Sequence, residues 1–338
     1  MRKTVHSLLL ATSLVLSGPA GAHNPTEPPE VGKNVDAATR LAAQDLAAAL
    51  FFCEANPTAK VTKTLREGIN AWFEPTRIFD NLSYIGNRFV GVFALETDDG
   101  IILFDSGTSI EEAEQHIAPG LVKLGLDPRN VKYIVVTHGH WDHFGGARWF
   151  QDHYKTPVGL SQIDWEMIER QEREGSPALG GHPIPRRDQV IVDGQKLKVG
   201  STVVDLYVTP GHTPGTVSAI FTAQKGGKPV AVSLLGSTAF PGTIEPTDIT
   251  GGLARYRESI KRFRHLSQKA RTTVLLNTHL FAFGGDAKLE QVQATGKGDA
   301  FVIGTRGVDR FYGLLDHCMQ ASEARIRAGL AGPKHVGE

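Results

Sequence analysis

The segment Thr137-His138-Gly139-His140-Trp141-Asp142-His143 sets four metal-ligand side chains within six residues, directly after the apolar run 133–136. That run reads as a short strand, so the histidines stand at the end of a rigid element. A lone histidine usually fills a structural role, but four ligand-type residues at this spacing point to metal. Imidazole suits zinc and related transition metals, Asp142 adds an oxygen ligand, and no cysteine lies near enough to suggest a thiolate-rich structural site. Two more histidines follow strand-like runs: His212 in Pro210-Gly211-His212 and His279 after 273–277.

Outward from this segment, strands and helices alternate. Apolar runs 89–95 and 101–104 flank Asp98-Asp99-Gly100, a hairpin-turn signal. Helical patterns follow at 111–124, 146–153 and 164–171, with a short strand at 158–160. The stretch 172–187 holds several Pro and Gly and is long enough to be a lid or substrate loop. Strands are expected at 189–192, 202–208, 218–222, 230–235 and 273–277, and a helix at 253–266. Each metal-bearing segment follows a strand, so the ligands converge on one rim of an α/β scaffold. Upstream, 23–35 reads as a flexible lead-in and 36–53 as a helix with Asp36 as its N-cap; downstream, a glycine-rich stretch at 284–307 precedes a helix at 308–328. The expected organisation is a signal peptide at 1–22, a linker and helical extension at 23–70, a catalytic domain at 71–307, and a helix and tail at 308–338.

Arg2 and Lys3, the apolar stretch 8–16 and Ala20-Gly21-Ala22 have the form of a secretory signal. The apolar stretch falls short of the ~20 residues of a spanning helix, so a secreted or periplasmic protein without a membrane span is expected. In that compartment Cys53 and Cys318 could pair; the other reading is two buried thiols. The 338 residues are 41% hydrophobic and 21% charged, an ordinary globular composition, and 36 basic residues balance 36 acidic ones. Nucleic-acid binding would leave a basic stripe, which is missing, so the expected partner is a small-molecule substrate. The oligomeric state is not legible.

His138-Gly-His140-Trp-Asp142-His143 resembles the HxHxDH signature of the metallo-β-lactamase superfamily, and His212-Thr213-Pro214-Gly215 resembles its His-Thr-Pro-Gly element. His279 is similar to the last ligand histidine, and Asp105, in Phe104-Asp-Ser-Gly-Thr108, to an early strand-end aspartate that supports the site from behind. The resemblance covers about 79–279. It implies an αββα sandwich, two sheets face to face with helices outside, and a metal site at the edge between the sheets. It also implies two zinc ions, one on His138, His140 and His212 and one on Asp142, His143 and His279, as in subclass B3 metallo-β-lactamases. Gly236-Ser237-Thr238-Ala239-Phe240 stands where glyoxalase-II-like hydrolases carry Gly-Asp-Thr-Leu-Phe, so Ser237 replaces a metal-bridging aspartate and the second zinc is expected to bind more weakly.

The implied activity is hydrolysis by a zinc-held water whose pKa falls towards ~7, with Asp142 orienting that water. A B3-like β-lactamase opening a cyclic amide is the first reading, a lactonase or thioesterase the alternative, ahead of a phosphodiesterase or a non-enzymatic zinc protein. Trp141 is expected to cover the site. Phe240, Phe281 and Phe283 read either as apolar substrate walls or as packing. His182 reads as an exposed polar residue, and His116, His153, His265 and His317 as structural.

Overall fold

The computed structural model describes residues 26–238 and 249–330; the signal-like segment 1–22 and Phe240 lie outside them. Twelve strands form two sheets among the described residues. The first holds β1 (Thr76–Phe79), β2 (Leu82–Gly86), β3 (Gly91–Thr97), β4 (Gly100–Phe104), β5 (Val131–Val135), β6 (Val158–Ser161) and β7 (Gln189–Ile191), in that order. It is antiparallel from β1 to β4 and parallel from β4 to β7. The second holds β8 (Gln195–Val199), β9 (Thr202–Val208), β10 (Val217–Lys225), β11 (Lys228–Leu234) and β12 (Val274–Leu276), with only the β11–β12 pair parallel.

Period-two alternation places the layers. In β4, Ile102 and Phe104 face the second sheet, where Phe104 stacks on Phe221 of β10 at 5.0 Å, while Ile101 and Leu103 turn to the other face. That other face is covered by α3 (Ile110–Glu112), α4 (Ala118–Lys123), α5 (Trp141–Phe144), α6 (Ala147–Tyr154) and α7 (Gln162–Arg173), through residues such as Leu121, Phe150 and Trp165. The far face of the second sheet packs on α8 (Ile249–Lys269) and α10 (Gly304–Arg327), where Ser233 of β11 bonds Ser267 and Tyr312. The result is helix, sheet, sheet, helix, as expected.

Several local expectations are corrected. The expected helix 111–124 is interrupted at Ala113–Ile117 by a π-type turn, just before Pro119, which lacks the N–H that would continue an α-helical ladder. The lead-in is not flexible throughout: α1 (Pro29–Ala42) begins at Pro29, a residue suited to a first helical position, and Asp36 lies inside it rather than capping it. A 3-10 turn, Ala47–Cys53, follows α1, and then α2 (Pro57–Gly68). The glycine-rich stretch 284–307 contains α9 (Gly285–Thr295), with Gly284 and Gly296 at positive φ marking its ends. Strands β1, β2 and β8 were not expected. Cys53 and Cys318 are joined in a disulfide that ties the 3-10 turn to α10, which settles the two readings in favour of pairing.

Candidate metal centre

The strand ends deliver the site residues. Asp105 follows β4, the His138–His143 segment follows β5, His212 follows β9, Ser237 follows β11 and His279 follows β12. Two groups of three come together, His138 with His140 and His212, and Asp142 with His143 and His279, the ligand atoms of each group lying within 4.8 Å of one another.

The first group is three imidazoles. Their ring centroids are 4.5–4.8 Å apart and their planes nearly perpendicular, so the rings surround a common point. His138 is oriented by its Nδ1, which lies 3.2 Å from the Gly236 carbonyl, and its Nε2 is buried without a hydrogen-bond partner, as is Nδ1 of His212. Buried polar nitrogens are seldom left unpaired, and these orphaned atoms fit ligands to a metal. Burial holds His138 and His212 well below the usual imidazole range and His140 at about 4, so all three are neutral at pH 7, the form that binds metal.

The second group is built on carboxylates. Asp105 is fully buried and held at φ 65°, a left-handed conformation that non-glycine residues adopt mainly where the surroundings enforce it. Its Oδ1 accepts from the Thr137 N–H at 2.7 Å, and its Oδ2 lies 3.0 Å from the Thr137 hydroxyl and 2.6 Å from His143 Nδ1. His279 Nδ1 lies 2.7 Å from the Phe89 carbonyl, and that loop is held by Asn87, whose Oδ1 accepts from the N–H groups of Phe89 and Val90. Both rings therefore turn Nε2 inward, 3.2 Å apart and 3.4 and 3.5 Å from Asp142 Oδ2. Burial depresses His143, but the carboxylates of Asp142 and Asp105 outweigh it and push the ring up to about 10. Burial would raise Asp142, yet His143, His279 and His140 hold it well below the usual carboxylate range. The two carboxylates thus favour a positive charge on the His143 ring, in a setting that suits a cation.

Residues 85–279 match the family model of the metallo-beta-lactamase superfamily. The chain belongs to this superfamily. Metallo-beta-lactamase superfamily membership, with hydrolase relatives, makes it a metal-dependent hydrolase. It is 28% identical over 170 residues to a probable metallo-hydrolase, YqgX, of Bacillus subtilis, covering 50% of this chain and 74% of that protein. It is 27% identical over 226 residues to an N-acyl homoserine lactonase of a Bacillus species, covering 60% of this chain and 83% of the relative. Among solved structures, it resembles BJP-1, a subclass B3 metallo-beta-lactamase of Bradyrhizobium japonicum, with TM-score 0.63 and 23% identity over 74% of this chain and 94% of the other. MEM-A1, a subclass B3 metallo-beta-lactamase from a soil metagenome library, gives TM-score 0.63 and 26% identity, covering 77% and 99%.

The remaining site expectations divide. Ser237 is buried beside Gly236 and its carbonyl accepts from the Tyr256 hydroxyl. Phe281 packs between Phe51, Phe89 and the His279 ring, behind the ligands, and Phe283 is buried against Phe301, so Phe283 belongs to the core. His182 is not a free surface group: it stacks on Trp141 at 5.4 Å. The stretch 172–187 that carries it is anchored, with Leu179 and Ile184 in the core and Gln151 bonding Arg186 through both its amide oxygen and nitrogen. One site residue was missed altogether. Asp164 is fully buried behind the first triad, and in sequence Ser161-x-x-Asp164 reads only as a helix start, a role it also fills, since Ser161 Oγ accepts from the Asp164 N–H. No helix among the described residues is long and apolar enough to cross a membrane.

Proposed function

We propose that the protein is an exported zinc hydrolase that opens the amide ring of β-lactams, in the manner of subclass B3 enzymes. The observation that carries the reading is the pair of abutting triads, one of three imidazoles and one of an aspartate and two imidazoles, with Ser237 rather than a carboxylate after β11. An imidazole-rich donor set without thiolate suits zinc, and a neutral residue at 237 matches the B3 pattern. When bound, the two ions act as Lewis acids and bring the pKa of a water down to about 7. His138, His140 and His212 would hold one and Asp142, His143 and His279 the other.

The protein's own groups do the rest. Asp105 keeps His143 in one orientation, and the Phe89 carbonyl does so for His279. The ionised Asp142 carboxylate would orient the attacking water by accepting a hydrogen bond from it. The water oxygen bonds to the carbonyl carbon, the ring C–N bond breaks, and the proton passes to the nitrogen, giving a ring-opened amino acid. Export is supported by the signal-like start and by the Cys53–Cys318 disulfide, because disulfides persist in oxidising compartments. A second reading, opening of a lactone by the same attack with C–O cleavage, is favoured by the similarity to N-acyl homoserine lactonases.

A hydrolysis panel with zinc-loaded protein tests both. β-Lactams should be turned over with kcat/KM of at least about 10⁴ M⁻¹s⁻¹, above acyl-homoserine lactones, thioesters and a phosphodiester. Faster turnover of lactones would move the assignment to the second reading, and inactivity on every substrate would overturn both.

A further inference from the structure

We propose that Asp164 is a positioning residue that sets the geometry of the His138, His140 and His212 triad from outside it, and thereby the metal affinity of that triad alone. The inference rests on the reading of that triad as a metal site. Asp164 belongs to the first turn of α7, yet its carboxylate reaches both ligand loops. Oδ2 accepts from the Gly139 N–H at 2.8 Å, between His138 and His140, and from the Thr213 hydroxyl at 2.7 Å, next to His212. Oδ1 accepts from the Gly215 N–H at 2.9 Å. One side chain therefore touches the backbone between two of these histidines and the first and third residues after His212, and it bonds to none of the three histidines itself.

The neighbouring glycines show how closely the loops are drawn onto α7. A Cβ on Gly139 would lie 2.7 Å from Met167 Cε and 2.9 Å from Ile168 Cγ2, and one on Gly215 would lie 2.1 Å from Ser161 Oγ and 2.5 Å from Asp164 Oδ1. Only residues without a side chain permit the approach that Asp164 bridges. Burial pushes the carboxyl up to about 6 against the pull of its three donors, so at neutral pH it serves as a pure acceptor for all of them. The second triad has its own supports in Asp105 and the Phe89 carbonyl, whereas the three bonds of the Asp164 carboxylate go to Gly139, Thr213 and Gly215. Asn in its place turns an N–H group towards one of the donors and loses at least one of the three bonds.

Asp164→Asn is placed in two backgrounds, His279→Ala, which leaves the first triad intact, and His140→Ala, which leaves the second. Zn²⁺ affinity is measured by competition with a chromophoric chelator, and unfolding midpoints of the metal-free proteins report on the fold. The expected result is at least a tenfold loss of affinity in the His279→Ala background and less than a twofold change in the His140→Ala background. Thr213→Val, which removes one of the three bonds, should give a smaller loss in the same background only. Equal losses in both backgrounds, or none in either, overturn the proposal. Failure of the His279→Ala protein to bind Zn²⁺ even with Asp164 intact overturns the metal reading of the first triad, and the proposal with it.

Discussion

The two halves of the centre are built by opposite means. The first triad is three neutral imidazoles with no carboxylate among them, held in place by a carbonyl at His138 and by the hydrogen bonds of Asp164 to the surrounding loops. The second carries Asp142 among its ligands and Asp105 behind His143, so it is strongly charged even when empty of metal. A charge-poor site gains affinity by preorganised geometry, a charge-rich one by Coulomb attraction in a buried setting. The first should therefore fail when its geometry is disturbed, the second when its charge is.

The largest expected effect breaks the first half outright. Chelation should remove hydrolysis, and readdition of Zn²⁺ should restore it, because the proposed activation of water depends on the metal. His140→Ala should lower kcat/KM by about three orders of magnitude or more, whereas His279→Ala should cost roughly ten- to a hundredfold, on the view that the first ion supplies most of the water activation. Equal losses in steady-state kinetics would remove the distinction between the halves.

Asp105→Ala attacks the charge behind the second half. It deletes the acceptor of His143 Nδ1 and of the Thr137 N–H, leaving a buried ring without its counter-charge, and should destabilise the metal-free protein by about 3 kcal/mol in urea unfolding. A loss below ~1 kcal/mol would show that water or a neighbour replaces the carboxylate.

His140 in the first half and His143 in the second should also titrate in opposite directions in the metal-free protein. His140 binds a proton near 6.5 when unfolded but only at about 4 when folded, so its contribution is intact above pH 6.5 and lost as pH falls towards 4, up to about 3 kcal/mol. The proton on His143 is retained to about 10, so its contribution is intact below pH 6.5 and lost as pH rises towards 10. Stability measured by urea unfolding at pH 5, 6.5 and 9 should peak in the middle, and bound metal, which displaces the His143 proton, should flatten the alkaline side. A steady rise from pH 5 to 9 without metal would contradict the charge assigned to the second half.

The difference between the halves also explains what could be read from the chain. His138, His140, Asp142 and His143 are legible because one turn after a strand presents them together, and His212 and His279 because each follows an apolar run. Asp164 was not, because its partners lie 25 and 51 residues away and nothing local distinguishes it from a helix-capping acid. The same holds for Cys53 and Cys318, 265 residues apart, whose pairing depends on how α10 returns to the N-terminal turn. Strand β2 was missed because it is buried at all five positions, so no alternation marks it. The six candidate ligands carry their chemistry in their side chains; the supports act through tertiary contacts.

The smallest expected effect sharpens the comparison at Ser237, where glyoxalase-II-like hydrolases carry a metal-bridging aspartate. Ser237 follows β11 and adjoins Gly236, whose carbonyl faces His138, so a carboxylate here would add negative charge beside the centre. The second triad already has Asp142 and Asp105, while the first has none, yet a bridging oxygen serves both ions and the more weakly held one gains more. Ser237→Asp should raise the affinity of the Asp142, His143 and His279 site for Zn²⁺ by about tenfold, roughly 1.4 kcal/mol. It should leave the first site within about threefold, because geometry rather than charge limits that site. Zinc titration of the variant against the unsubstituted protein, with the His140→Ala and His279→Ala backgrounds to assign each step, separates the contributions. Unchanged affinity at both sites would mean that the side chain at 237 points away from the metals, and that the resemblance of Gly236-Ser237-Thr238 to the glyoxalase-like motif does not extend to a bridging position.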